Sequence, residues 1–253
     1  MPSESRSNAR KRAAELHRRE QERAKRRRRI NTIVGVVVAV AVIGGLVLIG
    51  LTAGGGSESS DPPKNLVDGA IVTGKPDAKA TVTLYEDLQC PACRNFEQTT
   101  GPTLQKLVDD GTVRLERRPV AFLDRFSTTN YSTRSLNAVA CVLDTTPKVV
   151  PKYMSALFAQ QPAEGGDGLP DEKLVSIAKD NGAGDIGSCV KDKTFAGWTK
   201  AMSASASESK IDRTPTVLVN GTPLDNPSPE ALTQAVAEAG NTATPSPSTP
   251  PAP

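Results

Sequence analysis

The sequence predicts an α/β fold with a helical insertion, preceded by one transmembrane helix. β-type runs occur early and late in the chain, whereas strand signals disappear between about residues 127 and 210, where helical patterns follow one another. Before the first strand lies an uncharged apolar stretch, residues 30–51, which is long enough to span a bilayer. With 253 residues, 37% of them hydrophobic, the chain can form one substantial core.

The N-terminal segment is strongly basic. Residues 1–29 hold 12 Lys/Arg and 4 Asp/Glu, a net charge of +8 in a chain of net +3, so the remainder carries −5. The run of Lys and Arg at residues 25–29 would suit RNA or acidic lipid, but its place before an apolar stretch favours a cytoplasmic tail that sets topology. The chain as a whole is not a basic nucleic-acid binder, and we expect no nucleic-acid partner.

Residues 30–51 are interpreted as an uncleaved single-pass anchor. A cleaved signal peptide has a shorter apolar region, roughly 7 to 15 residues, although residues 51–53 leave cleavage open as an alternative. The positive-inside rule predicts a cytoplasmic N-terminus and an extracytoplasmic domain at the cell membrane.

Composition gives the other boundaries. Residues 52–65 are rich in Gly and Ser and predict a flexible linker, and residues 66–240 form the predicted folded domain. Residues 241–253 form a Pro/Ser/Thr tail that is too polar to pack and is expected to be disordered.

Periodicity defines the elements of the domain. Residues 80–85 and 112–118 alternate as strands, with Val82 and Leu84 of the first strand on one face. Between these strands apolar residues recur at helical spacing, with a kink expected at Gly101-Pro102. Further helical patterns cover residues 130–143, 149–161, 171–181 and 195–209. The last elements are a strand at 216–220, a turn at Asn220-Gly221, a returning strand at 222–224 and a helix at 228–239.

The segment Cys90-Pro91-Ala92-Cys93 lies between the first strand and the helix that follows it. A C-x-x-C at this position is typical of a redox dithiol. Cys90 falls at the N-cap and Pro91 at the first helical position, which proline favours. Free backbone N–H groups and the helix dipole should lower the pKa of Cys90. Cys93, one turn further along, is expected to be the buried resolving thiol.

Metal binding is the main alternative for these cysteines. A zinc site needs further ligands, and the remaining cysteines, Cys141 and Cys189, do not form a second C-x-x-C. The only histidine is His17, in the predicted cytoplasmic tail, so the exported domain has no Cys-His or Ser-His-Asp nucleophile and no histidine-ligated metal. We therefore expect neither a metal nor a cofactor, and an inert structural disulfide at a helix start is less favoured than a redox dithiol.

Two motifs together resemble a known family. Residues 82–94 read VTLYEDLQCPACR, and residues 213–217 and 219–221 read RTPTV and VNG. This combination resembles the membrane-anchored DsbA-like thiol:disulfide oxidoreductases of the thioredoxin superfamily, over about residues 66–240. The resemblance implies a thioredoxin-like fold, with a helical insertion between Cys93 and Pro215 at about residues 127–210.

The resemblance also assigns roles to Thr214 and Pro215. In the family, the proline that matches Pro215 is cis and lies against the dithiol, and the backbone of the residue that matches Thr214 pairs with an extended substrate chain. Without the resemblance, a trans proline at the start of a strand is the default interpretation. One position departs from the family: strongly oxidising members often carry His between the cysteines, where this chain has Ala92.

Four further residues are candidates for defined roles. In an oxidising compartment, Cys141 and Cys189 are expected to form a structural disulfide, with a second electron-relaying pair as the alternative. Glu86 and Asp87 directly precede the motif, and one of them is a candidate proton shuttle for Cys93. The alternative is that both are exposed loop carboxylates.

The function predicted from the sequence is extracytoplasmic thiol:disulfide exchange that introduces disulfides into exported cysteine-containing proteins through Cys90 and Cys93. The resemblance implies a membrane reoxidant of the DsbB or vitamin K epoxide reductase type. Three alternatives stay open: a reductase or isomerase supplied with electrons from the membrane, a non-catalytic thioredoxin-fold binding module, and an envelope scaffold with purely structural cysteines.

Overall fold

The structure is a computed structural model that describes residues 61–241. The predicted basic tail (1–29), the anchor (30–51), most of the linker and nearly all of the C-terminal tail lie outside the described residues. Within the described part, no helix is both long enough and apolar enough to cross a membrane.

A mixed sheet lies at the centre of residues 61–241, in the order β1-β3-β2-β4-β5. Its strands are β1 (Ile71–Thr73), β2 (Ala80–Glu86), β3 (Val113–Pro119), β4 (Thr216–Val219) and β5 (Thr222–Pro223). β2 and β3 are parallel, and the other neighbours are antiparallel. β2 is the middle strand, and its alternating residues Val82 and Leu84 are fully buried, as their spacing predicts.

The helices before β3 and after β5 are separated in the chain by a block of helices between β3 and β4. The described helices are α1 (Pro91–Thr99), α2 (Gly101–Asp109), α3 (Tyr131–Thr145), α4 (Val150–Ala159), α5 (Asp171–Asp180), α6 (Gly187–Lys191), α7 (Ala196–Glu208) and α8 (Pro229–Asn241). α1 and α2 are separated at Thr100, next to the predicted kink, and Pro102 lies in the first turn of α2. The helices α3 to α7 lie between β3 and β4 in the chain and form the inserted block.

The domain has two main hydrophobic clusters. Val82, Leu84, Phe96, Leu115 and Leu232 belong to the cluster that α1, α2 and α8 form with the sheet. The other cluster lies mostly within the inserted block, and it also contains Ile71 of β1, Leu88, Cys90 and Cys93. The two cysteines of the motif therefore belong to the cluster of the block and not to the cluster around β2.

Three features differ from the sequence-based expectations. β1 and α6 were not predicted, because each is too short for its periodicity to be read. The end of the predicted linker is bonded to the domain: Lys64 N donates to Asp144 Oδ1 at 2.9 Å, and Asn65 Nδ2 donates to the Leu143 carbonyl at 2.9 Å.

A disulfide joins Cys141 of α3 to Cys189 of α6, across 48 positions of the chain. α6 has only five residues and no side-chain cap, so the bond holds a helix that is too short to be stable by itself. We predict that replacing both cysteines by alanine lowers the free energy of unfolding by about 2 to 4 kcal/mol.

Denaturant unfolding would measure this difference in a Cys90→Ser/Cys93→Ser background, where only one disulfide can form. The matched control is Ser188→Ala, a neighbouring change in α6 that keeps the bond. A double alanine variant as stable as its parent would contradict a stabilising role for the bond.

Candidate active site

The C-x-x-C motif occupies the turn between β2 and α1. Cys90 is the N-cap residue, with extended backbone angles (φ −75°, ψ 118°), and Pro91 begins the helix, as the sequence predicts. The amide N–H of Cys90 donates to the Asp87 carbonyl at 2.9 Å, and the carbonyl of Cys90 accepts from Arg94 N at 3.1 Å. Cys90 is 7% exposed and Cys93 is fully buried, so only the first sulfur borders the surface.

The two thiols have opposite electrostatic surroundings, and they are not bonded to each other in the structure. The Cys93 thiol, the Thr214 side chain and the backbone N–H groups of Cys93 and Ala92 lower the pKa of Cys90 to about 6, although burial opposes them. Burial is the main cause that raises the pKa of Cys93, and the neighbouring Cys90 adds to it. The arrangement therefore suits a thiolate at Cys90 and a protonated thiol at Cys93.

The loop before β4 lies against the Cys90 sulfur. The peptide bond between Thr214 and Pro215 is cis. The Cys90 thiol donates to the Thr214 carbonyl, with an Sγ to O distance of 3.4 Å. Thr214 and Pro215 are both partly exposed, so the loop and the reactive sulfur share one accessible surface.

Glu86 lies beneath the motif in a buried charge cluster. Nη1 of Arg117 donates to Glu86 Oε1 at 2.6 Å and to Glu97 Oε1 at 2.8 Å. All three side chains are at least nine-tenths buried, and Glu86 Oε2 has no hydrogen-bond partner among the described residues. Two carboxylates thus share one guanidinium, and ionising both would leave a net buried negative charge.

A proton on Glu86 relieves this imbalance. Burial raises the pKa of Glu86 to about 7, with Arg117 opposing the shift and Glu97 adding to it. Glu86 also interacts electrostatically with the Cys93 thiol. Its orphaned oxygen and its pKa near neutrality make Glu86 the better candidate proton shuttle of the two acids.

Asp87 has a different environment, although it is also fully buried. Its Oδ1 accepts from Gln89 N at 2.9 Å and from Ser132 Oγ at 2.7 Å, and its Oδ2 accepts from Leu123 N at 3.0 Å. Burial raises the pKa of Asp87 to about 6 against these donors. With both oxygens bonded, Asp87 anchors the turn rather than presenting a free acceptor. The alternative that both acids are exposed is wrong.

Sequence reasoning missed Glu97, Arg117 and Gln161. A signal existed for the first two: Glu97 lies four residues after Cys93, on the same face of α1, and Arg117 follows the inward positions Val113 and Leu115. Gln161 donates from Nε2 to the carbonyls of Leu88 and Cys90. It follows a helix without belonging to it, so no periodicity marks it.

The fold and the site define a redox domain of the thiol-disulfide class: a sheet, a C-x-x-C at a helix start, a facing cis proline and an inserted helical block. The family model described as thioredoxin matches residues 67–238. The chain belongs to the thioredoxin family.

Solved structures refine this assignment. The reduced form of DsbA from Mycobacterium tuberculosis is 32% identical, with a TM-score of 0.59 over 70% of this chain and 100% of that one. BdbD from Bacillus subtilis, in its oxidised form, is 24% identical and shares the fold, with a TM-score of 0.63 over 73% of this chain and 98% of that one. The domain therefore has a DsbA-type oxidoreductase fold with a helical insertion, and its enzyme class is protein thiol-disulfide oxidoreductase.

Similarity also extends to part of a much longer protein. The serine/threonine-protein kinase PknE of M. tuberculosis is 31% identical over 149 residues, which are 56% of this chain and 26% of the kinase. This chain thus spans about a quarter of the kinase's length.

The raised pKa of Glu86 predicts a pH-dependent stability. Between the usual carboxyl value of 4.5 and about 7, the folded state holds a proton that the unfolded state has lost, so the Glu86 contribution to the free energy of unfolding falls as pH rises through this window. We predict that Glu86→Gln, which mimics the protonated acid, gains stability over the parent by on the order of 1 to 3 kcal/mol from pH 4.5 to above pH 7.

Denaturant unfolding at a series of pH values would test this on the reduced protein. Glu116→Gln serves as the control, because Glu116 lies on the other face of β3, outside the cluster. A difference between Glu86→Gln and the parent that does not change with pH would contradict the assignment.

Proposed function

We propose that this domain introduces disulfides into exported proteins through the Cys90-Cys93 pair. The observation that carries the proposal is the unequal pair of thiols: Cys90 is stabilised as a thiolate at the start of α1, and Cys93 is buried and held protonated. A thiol pair that is well stabilised when reduced forms a disulfide that is easily reduced, which is the property of an oxidant.

The exchange proceeds in two displacements. A substrate thiolate attacks the Cys90 sulfur of the Cys90-Cys93 disulfide, forms a mixed disulfide and displaces Cys93 as a thiolate. A second substrate thiolate then attacks the substrate sulfur of the mixed disulfide and releases Cys90. The substrate is oxidised by two electrons and the domain is reduced by two. Attack at Cys90 is favoured because its sulfur is the one that borders the surface.

Glu86 supplies the proton that this scheme requires. Cys93 leaves in a buried environment where a thiolate is strongly disfavoured. The Glu86 carboxyl acts electrostatically on the Cys93 thiol and has one oxygen without a partner among the described residues, so in its protonated form it is the group we propose to transfer a proton to the departing sulfur. In the reverse half of the cycle, the ionised Glu86 takes the proton back.

Thr214 and Pro215 form the substrate-binding edge in this proposal. The Thr214 carbonyl lies 3.4 Å from the Cys90 sulfur, and no backbone partner occupies Thr214 within residues 61–241. An extended substrate strand can therefore pair with this backbone while its cysteine faces Cys90. Backbone pairing is tolerant of sequence, which suits a catalyst that acts on many exported proteins.

The proposed location follows from the sequence before the domain. Residues 30–51 would anchor the chain in the cell membrane, the basic residues 1–29 would stay in the cytoplasm, and the linker would present the domain outside. The tail at residues 241–253 would be a disordered extension. Each cycle leaves the Cys90-Cys93 pair reduced, so we propose reoxidation by a membrane protein of the DsbB or vitamin K epoxide reductase type.

We predict that Cys93→Ser accumulates mixed disulfides with exported proteins, because the Cys90 thiolate can still attack a disulfide of such a protein, whereas the Cys93 thiol, which would break the adduct by attacking Cys90 in the reverse of the first displacement, is missing. Non-reducing gels of cells that express the variant would show reducible adducts. Cys90→Ser is the matched control and should show none. Adducts that form with Cys90→Ser instead would reverse the two roles, and an absence of adducts with both variants would favour a binding module.

The direction of exchange has its own test. Because the thiolate of Cys90 is stabilised only in the reduced form, we predict that the reduced domain is more stable to denaturant than the oxidised one, with the Cys141-Cys189 bond intact in both. Ala92 adds no cation beside Cys90, so the difference should be modest, about 1 to 3 kcal/mol.

Ala92→His provides the comparison in this experiment. A cation between the cysteines should increase the advantage of the reduced form. If the oxidised domain proves the more stable by 1 kcal/mol or more, roughly a fivefold step in equilibrium or greater, the domain acts as a reductase.

A further inference from the structure

Gln161 of the inserted block binds the backbone of the turn between β2 and α1 that ends at Cys90. It lies just beyond the end of α4 and is 8% exposed. Its Nε2 donates to the Leu88 carbonyl at 2.9 Å and to the Cys90 carbonyl at 3.0 Å. Carbonyl oxygens only accept, so the two hydrogens of the amide nitrogen must both face the turn.

The two carbonyls depend on this side chain to different degrees. The Leu88 carbonyl has no other donor within residues 61–241, and Leu88 itself is 2% exposed. The Cys90 carbonyl also accepts the Arg94 N–H, which is the first hydrogen bond of α1. Removing the amide would leave one buried carbonyl unpaired and the other held by the helix alone.

The orientation of the Cys90 carbonyl bears directly on its sulfur. Cys90 is the N-cap, and its ψ of 118° sets the direction of the peptide plane that joins it to Pro91. The N–H groups of Ala92 and Cys93, which follow this peptide plane, lower the pKa of the Cys90 thiol, although the thiol makes no cap hydrogen bond to the helix. A rotation of this peptide plane would move the sulfur relative to those donors.

We propose that Gln161 is a positioning residue, whose paired hydrogen bonds to Leu88 and Cys90 fix the N-cap geometry that keeps the Cys90 sulfur over the first turn of α1. This deepens the proposed function, because it rests on Cys90 being the reactive thiol. In this proposal the inserted block affects the reactivity of Cys90 through Gln161, in addition to packing against the motif.

Neighbouring contacts follow the same pattern. Gln89 Nε2 donates to the Phe126 carbonyl at 2.9 Å, and Ser132 Oγ donates to Asp87 at 2.7 Å. Each contact joins the turn to a segment between β3 and α4. Gln161 differs from them because it alone of these side chains contacts the backbone of a cysteine.

The test is a titration of the Cys90 thiol by the ultraviolet absorbance of its thiolate, in the reduced domain with the Cys141-Cys189 bond intact. Gln161→Leu keeps the bulk of the side chain and removes both donors. In this variant we expect the acid dissociation constant of the Cys90 thiol to fall about tenfold. The rate at which Cys90 reacts with a small disulfide at pH 6 should fall by a comparable factor.

Two further variants make the result decisive. Gln161→Glu keeps the shape of the side chain but, when ionised, offers acceptors where two carbonyls need donors, so it should raise the pKa of Cys90 at least as much. Gln160→Leu is the matched control, because Gln160 is exposed, and it should titrate like the parent. If Gln161→Leu does not fold, Gln161→Glu carries the test.

An unchanged Cys90 titration in both Gln161 variants would overturn the proposal, even if their stability is reduced, because Gln161 would then be only structural. An equal shift in Gln160→Leu would overturn it as well. The titration needs neither a protein substrate nor a direction of exchange, so its outcome is independent of whether the domain acts as an oxidase.

Discussion

Stabilisation of the Cys90 sulfur at the start of α1 is the interaction on which the rest of the site depends. The groups that stabilise it come from the first turn of α1, from the Cys93 thiol and from the Thr214 side chain, so the strand that leads in, the helix that follows and the loop before β4 must meet at one point. Small errors in this geometry are costly, because hydrogen bonds to a thiolate weaken steeply with angle and distance. The sheet fixes the meeting point, because β2 pairs with β4 through Tyr85, five residues before Cys90, and Thr216, directly after Pro215.

The site also contains groups that work against stability. Glu86, Arg117 and Glu97 form a buried cluster with more carboxylates than cations, and such a cluster is often no more stable than an apolar core. In the mechanism that we propose, the imbalance is useful, because the shared guanidinium leaves one carboxyl able to hold a proton near neutral pH. A balanced pair would lower the pKa of Glu86 and remove the proton from the place where Cys93 is released. The unsatisfied Glu86 oxygen is then consistent with function rather than a packing fault.

Much of the fold could be predicted from the sequence because its elements are long and regular. Periodicity predicts β2, β3, α1 and the four longer helices of the inserted block, and Cys90 and Pro91 fit the N-cap and first positions of a helix. The charge cluster could also be predicted, because Glu86 and Arg117 both occupy inward positions of neighbouring strands, and a buried charge needs a partner of opposite sign. Gln161 was not: its position depends on how the inserted block packs under the turn, and contacts between distant segments leave no periodic trace.

The buried charges and the side chains that bind the turn before Cys90 lie in two different parts of the domain. The sheet and α1 supply the buried charges, through Glu86 of β2, Arg117 of β3 and Glu97 of α1. The inserted block supplies geometry, since Gln161 and Ser132 bind the turn from segments the sheet does not contain. Cys90 and Cys93 pack within the hydrophobic cluster of the block, whereas the buried charges lie on β2, β3 and α1. In the mechanism that we propose, substitutions in the insertion would therefore change the reactivity of Cys90, while the sheet and α1 keep the groups that hold the proton.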